Sequence, residues 1–356
     1  MNIHRSTREY ERWLARQLNL VRGDLRLKHQ RMKEGVFPFL RATYYRWAML
    51  WPRLCSDLCE GPSVLSVGDL HVENFGTWRD AEGRLVWGIN DFDESSWLPA
   101  PHDLVRLGTS VIFAIEGGHL SLDRHSALRF LLEGYADSVE AGGRPMVLAE
   151  QHRALRAMAI ERLIDPRRFW EKLERLKPVR LPPPPGARKA LTRQLPPESL
   201  TFRLYHRVAG LGSLGRERYV AIAEWGGGKI AREAKALAPS ATVWATGQRS
   251  EAILYQELVD RAVRCADPFL RAKRRWVVRR LAPDCCRIEL SELPRERDET
   301  RLLYDMGWET ANVHLGTGRR KQLRAVASGG REWLPEAVET MTEAVERDWK
   351  EYVRED

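Results

Sequence analysis

Two acidic stretches separated by one hairpin's length of chain constrain this sequence most. The first is Val67-Gly68-Asp69-Leu70-His71-Val72-Glu73-Asn74-Phe75-Gly76, and the second is Ile89-Asn90-Asp91-Phe92-Asp93-Glu94. Residues 77–88 between them read as strand, polar turn with Glu82-Gly83, and strand. Any fold that closes this hairpin brings Asp69, Asn74 and Asp91 close together. Hard oxygen ligands so placed suit Mg²⁺, with a separate carboxylate left to handle a nucleophile's proton.

Helical periodicity dominates the chain on both sides of this hairpin. Residues 7–30 carry Arg, Leu and Glu at helical spacing, Phe37-Pro38-Phe39-Leu40-Arg41 breaks that pattern, and 42–58 is an apolar helix whose aromatics are core. A helix begins near His102 and runs to about Glu116, with Asp103 in its first turn, where negative charge is favoured. Further helices are expected over 121–141 and 148–176, with a break at Asp165-Pro166.

The composition then changes. Leu181-Pro182-Pro183-Pro184-Pro185-Gly186 reads as a stiff extended linker within 177–199. Beyond it the pattern becomes strand-like: 202–209, then Gly210-Leu211-Gly212-Ser213-Leu214-Gly215, then 216–225, a triple-glycine turn, and 229–236. A helix over 245–265, a strand over 274–281 and helices over 298–315 and 333–352 follow. The expected fold class is α+β, with units at 1–176, 177–199, 200–282 and 283–356.

A lone GxGxxG is weak evidence. In a dinucleotide-binding unit the third glycine opens a helix. Here strand composition follows, which fits a glycine flap over nucleotide phosphates or a plain hairpin turn. No GxxxxGK[ST] loop is present. A flap needs a cation on the next strand, and Lys229, Arg232 and Lys235 are available. Arg232 is preferred to Lys235 by its spacing of 17 residues after Gly215. An arginine there keeps the charge but not the compact ammonium.

These residues resemble the kinase-like superfamily, in particular its aminoglycoside and choline phosphotransferase branch. Asp69 to Asn74 resembles that branch's catalytic loop, Asp91-Phe92-Asp93 its metal-binding motif, and Asp103 the structural acid that opens the following helix. More closely, the Gly68–Gly76 stretch, Asn90–Glu94, Asp103–Leu107, the Phe37–Arg41 stretch, the Gly210–Gly215 turn and Arg232-Glu233-Ala234 resemble the bacterial DUF2252 family. Val67 stands where the phosphotransferases usually have His, and Arg232 where they have Lys. Glu251 and Glu257 are both candidates for the acid that anchors this cation.

The catalytic loop precedes the glycine turn here, so the resemblance implies a two-lobed kinase-like fold in circularly permuted order. The helical lobe comes first, and the small β-rich lobe second. It implies ATP and Mg²⁺ as cofactors and an unknown small-molecule acceptor. Asp69 would act on the acceptor hydroxyl. His71 would contact the metal or acceptor, or brace the loop. Asn74, Asp91 and Asp93 would bind metal. Gly210, Gly212, Ser213 and Gly215 would cover the phosphates, with Arg232 or Lys235 as their cation. The alternatives are a nucleotide-binding pseudokinase, suggested by Arg232, and a kinase-fold enzyme that transfers AMP.

The net charge of +9 suits anionic ligands. Lys and Arg are spread along the chain without a nucleic-acid motif, so nucleic acid is an unlikely partner. Five cysteines in 356 residues do not form a disulfide framework. No apolar run reaches the roughly 20 residues of a membrane span, and the first residues lack a secretion signal's apolar core. A cytoplasmic location is the expectation.

Overall fold

The computed structural model describes residues 1–148, 152–161, 165–179, 182–197, 199–285, 298–329 and 332–354. Leu181 and Cys286, and parts of the segments expected at 148–176 and 283–356, lie outside the described residues. The fold is α+β. No helix among the described residues is long and apolar enough to cross a membrane.

In chain order the elements begin with α1 (Ile3–Gln17), α2 (Arg22–Lys33), α3 (Val36–Ala42) and α4 (Tyr44–Leu54). Asn2 caps α1 by accepting the Arg5 N–H, and Ile3, Thr7, Tyr10 and Leu14 bury one stripe. The single helix expected over 7–30 is therefore two. Its break at residues 18–21 is tertiary: Leu20 bridges to Arg216, and the Val21 N–H donates to the Gly215 carbonyl at 2.8 Å. Residues 37–41, expected as a break, form most of α3, because Pro38 falls in the first turn, where its missing N–H costs nothing.

Next come β1 (Ser63–Ser66), β2 (Phe75–Arg79), β3 (Leu85–Ile89), β4 (Ser96–Pro99), α5 (Pro101–Glu116), α6 (Arg124–Ala141) and β5 (Met146–Val147). β2 and β3 form the expected antiparallel hairpin, Phe75 pairing with Ile89, and β5 extends it. β1 pairs with β4. α5 is the central helix, buried from Pro101 to Ala114.

Then follow α7 (Arg153–Glu161), α8 (Pro166–Glu174), β6 (Lys177–Pro178), α9 (Pro185–Thr192), β7 (Arg203–His206), β8 (Arg218–Trp225) and β9 (Gly228–Ala236). The expected extended linker holds a strand and a helix instead. Pro185 starts α9, a position where proline's fixed φ is preorganised for helix.

The last elements are α10 (Ala241–Ala245), α11 (Tyr255–Arg261), β10 (Arg271–Lys273), β11 (Trp276–Leu281), α12 (Glu299–Leu315), α13 (Arg320–Ser328) and α14 (Trp333–Arg354). The helix expected over 245–265 is replaced by α10 and α11. Gly247, at φ +68°, turns the chain out of α10.

The strands β10-β11-β9-β8-β7-β6 make one antiparallel sheet. Val220, Ile222 and Ala231 pack on one face with α8, and Ala221, Ala234 and Val278 on the other with α9. In the helical part α12 lies tightly against α6. A Cβ at Gly134 would come within 1.9 Å of the Tyr304 carbonyl oxygen, and one at Gly307 within 1.9 Å of that of Leu131.

Candidate active site

The loop between β1 and β2 begins with a turn only glycine can make. Gly68 has φ +81°, and a Cβ there would meet the Glu94 carbonyl oxygen at 2.3 Å. Beneath it, the fully buried Asp103 at the start of α5 accepts the Val67 N–H at 2.7 Å and the Gly68 N–H at 3.0 Å. His314 of α12 and His102 contact the same carboxylate at 3.2 and 3.4 Å. Burial alone would push the Asp103 carboxyl up. The hydrogen bonds from His102 and His314 outweigh it and hold it below the usual range.

The braced loop points Asp69 into a cavity between the helical part and the loop at 210–216 that joins β7 to β8. Asp69 Oδ1 accepts from Arg106 Nη2 at 2.6 Å, and the same Nη2 donates to the Leu40 carbonyl at 2.7 Å. Arg106 is fully buried, over the Trp47 ring. Burial raises the Asp69 pKa, and Arg106 opposes the rise. Asn74 Nδ2 donates to the Asp69 carbonyl at 2.6 Å, which leaves its amide oxygen as the acceptor at the cavity wall. His71 accepts the Glu73 N–H on Nδ1 at 3.2 Å and so braces the 72–74 turn, while its ring also lines the cavity.

Asp91 and Asp93 enter from the far side of the hairpin, where Lys235 of β9 meets both. Its Nζ is 3.1 Å from Asp91 Oδ1 and 2.7 Å from Asp93 Oδ1. Burial pushes Asp91 up, but the Lys235 charge and then Arg279 hold it below the ordinary range. Burial and the neighbouring Asp91 charge push Asp93 the other way.

The sheet register explains why Lys235 and not Arg232 is here. Side chains alternate faces along a strand. Glu233 and Lys235 share the face of Arg218 and Arg279, whereas Arg232 points to the other. There it lies over the Phe269 ring, 4.4 Å from its centroid, and donates to the Gln194 carbonyl. Arg232, the cation favoured by spacing, is thus away from the cavity. Neither proposed anchor acid reaches Lys235: Glu257 pairs with Arg261 and Glu251 lies near Arg275.

The glycine turn closes the top. Gly210 (φ +73°) and Gly215 (φ +94°) bend the chain, and a Cβ on Gly212 would sit 3.3 Å from Asp69 Oδ2. Ser213 N–H donates to the Gly210 carbonyl, and its hydroxyl accepts from Arg218 at 2.7 Å. The structure thus brings together Asp69, His71, Asn74, Asp91, Asp93, Lys235 and the turn at 210–215. It adds residues that the sequence reading gave no role: Lys28 of α2, Arg41, Arg106, Glu94 and Arg216, the last pairing with Glu94 at 2.7 Å.

Two carboxylates, Asp93 largely buried and Asp91 partly exposed, and an amide oxygen form a hard donor set suited to Mg²⁺. Both Asp93 oxygens are buried without a hydrogen bond, although Lys235 and Arg216 stand near them. No three His, Cys, Asp or Glu side chains among the described residues converge as a metal cluster. A Mg²⁺ here would therefore complete its shell with water and phosphate oxygens, as this ion usually does. The cavity measures about 40 Å³. That is room for an ion and a water or two, well below the roughly 300 Å³ at which ligand pockets begin.

The fold and site together define an α+β protein with a buried acidic cavity roofed by a glycine turn. Residues 20–168 match the model of a family described as an uncharacterised protein conserved in bacteria, DUF2252. The matched segment carries Lys28, Asp69, Asn74, Asp91, Asp93 and Asp103, and the glycine turn and Lys235 come from beyond it. Comparisons with curated proteins and with solved structures gave no match.

Proposed function

We propose that the protein is an ATP- and magnesium-dependent phosphotransferase acting on a small-molecule acceptor. In this reading it has a two-lobed kinase-like fold in permuted order, with α12 and α14 completing the helical lobe begun by residues 1–176. One observation carries the proposal: Lys235 holds Asp91 and Asp93, which line the same cavity where Gly212 lies against Asp69.

Asp69 is the group that orients an acceptor hydroxyl and takes its proton, while Arg106 fixes the carboxylate's angle. Asn74, Asp91 and Asp93 supply oxygen ligands. Bound Mg²⁺ would neutralise phosphate charge. Lys235 exchanges its carboxylate partners for phosphate oxygens. The N–H groups of Leu211 and Gly212 take no part in the turn's own hydrogen bonds and suit phosphate oxygens. Catalysis of this kind is mainly positioning and charge neutralisation. A nucleotide is larger than the closed cavity, so its entry requires the 210–215 turn to lift from Asp69.

The pseudokinase reading rested on Arg232. Lys235 at the acid pair speaks against it. Transfer of AMP instead of phosphate is distinguished by the mass of the product.

The test is thermal unfolding with Mg²⁺ plus ATP, GTP or ADP. A nucleotide at about 100 times its Kd adds roughly 2.7 kcal/mol. A melting temperature unmoved by every Mg²⁺–nucleotide pair, relative to Mg²⁺ alone, would end the proposal.

A further inference from the structure

The charges around the cavity are matched at one end and unmatched at the other. Arg106 meets Asp69 at 2.6 Å, Arg41 meets Glu73 at 2.5 Å, and Arg216 meets Glu94 at 2.7 Å. Asp91 and Asp93 share the ammonium of Lys235, and Arg216, already paired with Glu94, also reaches Asp93 at 3.5 Å. Lys28 is the cation left over. It is 6% exposed and lines the cavity. Its one hydrogen bond goes to a neutral group, the Gly212 carbonyl at 3.0 Å, and it forms no ion pair among the described residues. An ammonium has three donors. The Tyr45 ring, 5.9 Å away, is at the edge of cation–π range.

A buried charge without a counterion is costly, and proteins ordinarily pair or neutralise it. Burial pulls the Lys28 pKa down only to about 8, so at pH 7 the side chain is still mainly protonated. At one end three carboxylates, Asp91, Asp93 and Glu94, face two cations, Lys235 and Arg216, which leaves negative charge in excess there, and Lys28 carries the excess positive charge. A cavity polarised in this way takes a metal cation at one end and an anion at the other.

We propose that Lys28 is the seat of an oxyanion, a phosphate or carboxylate group of the bound ligand. The assignment deepens the phosphotransfer reading and rests on it for what occupies the other end. The oxyanion comes either from the terminal phosphate of the donor nucleotide or from an anionic group on the acceptor. If the acceptor supplies it, a cationic acceptor is disfavoured, because its charge would face Lys28.

The experiment measures inorganic phosphate binding by calorimetry at constant ionic strength, with wild type, Lys28→Met and Lys28→Arg. Wild type binds phosphate, Lys28→Met weakens binding about tenfold or more, and Lys28→Arg stays within about threefold. Ligand-free Lys28→Met melts at or above the wild-type temperature, since an unpaired buried charge has been removed. Wild type that binds no phosphate, or Lys28→Met that binds it equally well, overturns the proposal. So does a lowered melting temperature combined with equal losses for phosphate, ATP and ADP, which makes Lys28 a latch between α2 and the glycine turn.

Mg²⁺–ATP and Mg²⁺–ADP titrations locate the source. Loss of ATP affinity with ADP affinity kept assigns the seat to the donor's terminal phosphate. Both affinities kept, with phosphate binding lost, assigns it to the acceptor. Phosphate binding through Lys28 without any nucleotide binding defeats the phosphotransfer reading and leaves the oxyanion seat standing. Nucleotide binding with Lys28→Met indifferent to every probe does the reverse.

Discussion

Lys235 Nζ lies 2.7 Å from Asp93 Oδ1, and this contact joins the six-stranded sheet to the acidic end of the β2–β3 hairpin. The same ammonium reaches Asp91, so two carboxylates share it, with Arg216 a second cation 3.5 Å from Asp93.

Lys235→Met leaves those two carboxylates with only Arg216 beside Asp93. Breaking a buried pair costs about 3–5 kcal/mol, and Asp91 is 36% exposed, so a loss of roughly 2–4 kcal/mol is expected. Mg²⁺ restores more of this stability to the variant than it adds to wild type. Urea unfolding with and without Mg²⁺ measures both effects. A variant as stable as wild type refutes the coupling.

Asp69→Asn and Asp91→Asn separate chemistry from binding. Asp69→Asn lowers turnover by about 10²–10⁴-fold while nucleotide affinity holds. Asp91→Asn abolishes Mg²⁺-dependent nucleotide binding with the fold intact by circular dichroism. Equal effects of the two substitutions on nucleotide affinity contradict the assigned roles.

Arg232→Ala is silent at the site. The side chain stacks on Phe269 on the opposite face of the sheet. Losing its bond to the Gln194 carbonyl costs about 1–2 kcal/mol of stability. Mg²⁺–nucleotide affinity, measured by calorimetry, stays at the wild-type value. A tenfold loss would return Arg232 to the phosphates.

Glu309 of α12 gives the stability a pH dependence. Burial pushes its carboxyl up to about 7, against an ordinary 4.5, although Arg264, Asn312 and the Ile89 N–H all favour its charged form. The folded protein therefore holds this proton more tightly than the unfolded chain. Its contribution is fully present below pH 4.5 and is lost as pH rises through 7, by an amount on the order of 3 kcal/mol. Asp305, raised to about 6 by burial, adds a slope of the same sign. Glu309→Gln removes the first contribution and keeps the second. Chemical unfolding from pH 4 to 8 should show the smaller slope in the variant. Parallel curves would mean that Glu309 does not titrate in this range.

The acidic end of the site was legible in the sequence because it is local. Asp69, Asn74 and Asp91 sit around one hairpin, and Asp103 opens the next helix, so short-range rules place them. Three misses were non-local. On β9, Arg232 and Lys235 differ by three positions and so face opposite sides, and only the pairing with β8 and β11 fixes which side faces the cavity. Lys28 reads as part of an amphipathic helix. The available signal was its position, since Asp24, Lys28 and Met32 form one buried stripe of α2. Charged residues on a buried stripe mark a helix that packs against polar groups, but a single sequence does not name those groups. Residues 18–21 carry no Gly or Pro, so nothing local announced the break that lets Val21 bond to Gly215.

The brace under Gly68 also sets an order of assembly. Asp103 takes its contact from His314, and the Leu65 N–H donates to Thr317. A ribosome that has just made residues 63–103 has synthesised the acidic loop more than 200 residues before its last support. At about 5–20 residues per second, that interval lasts on the order of ten seconds or more. Throughout it the acidic loop lacks its final support, so a nascent chain stalled before α12 would be open to proteolysis at residues 67–76.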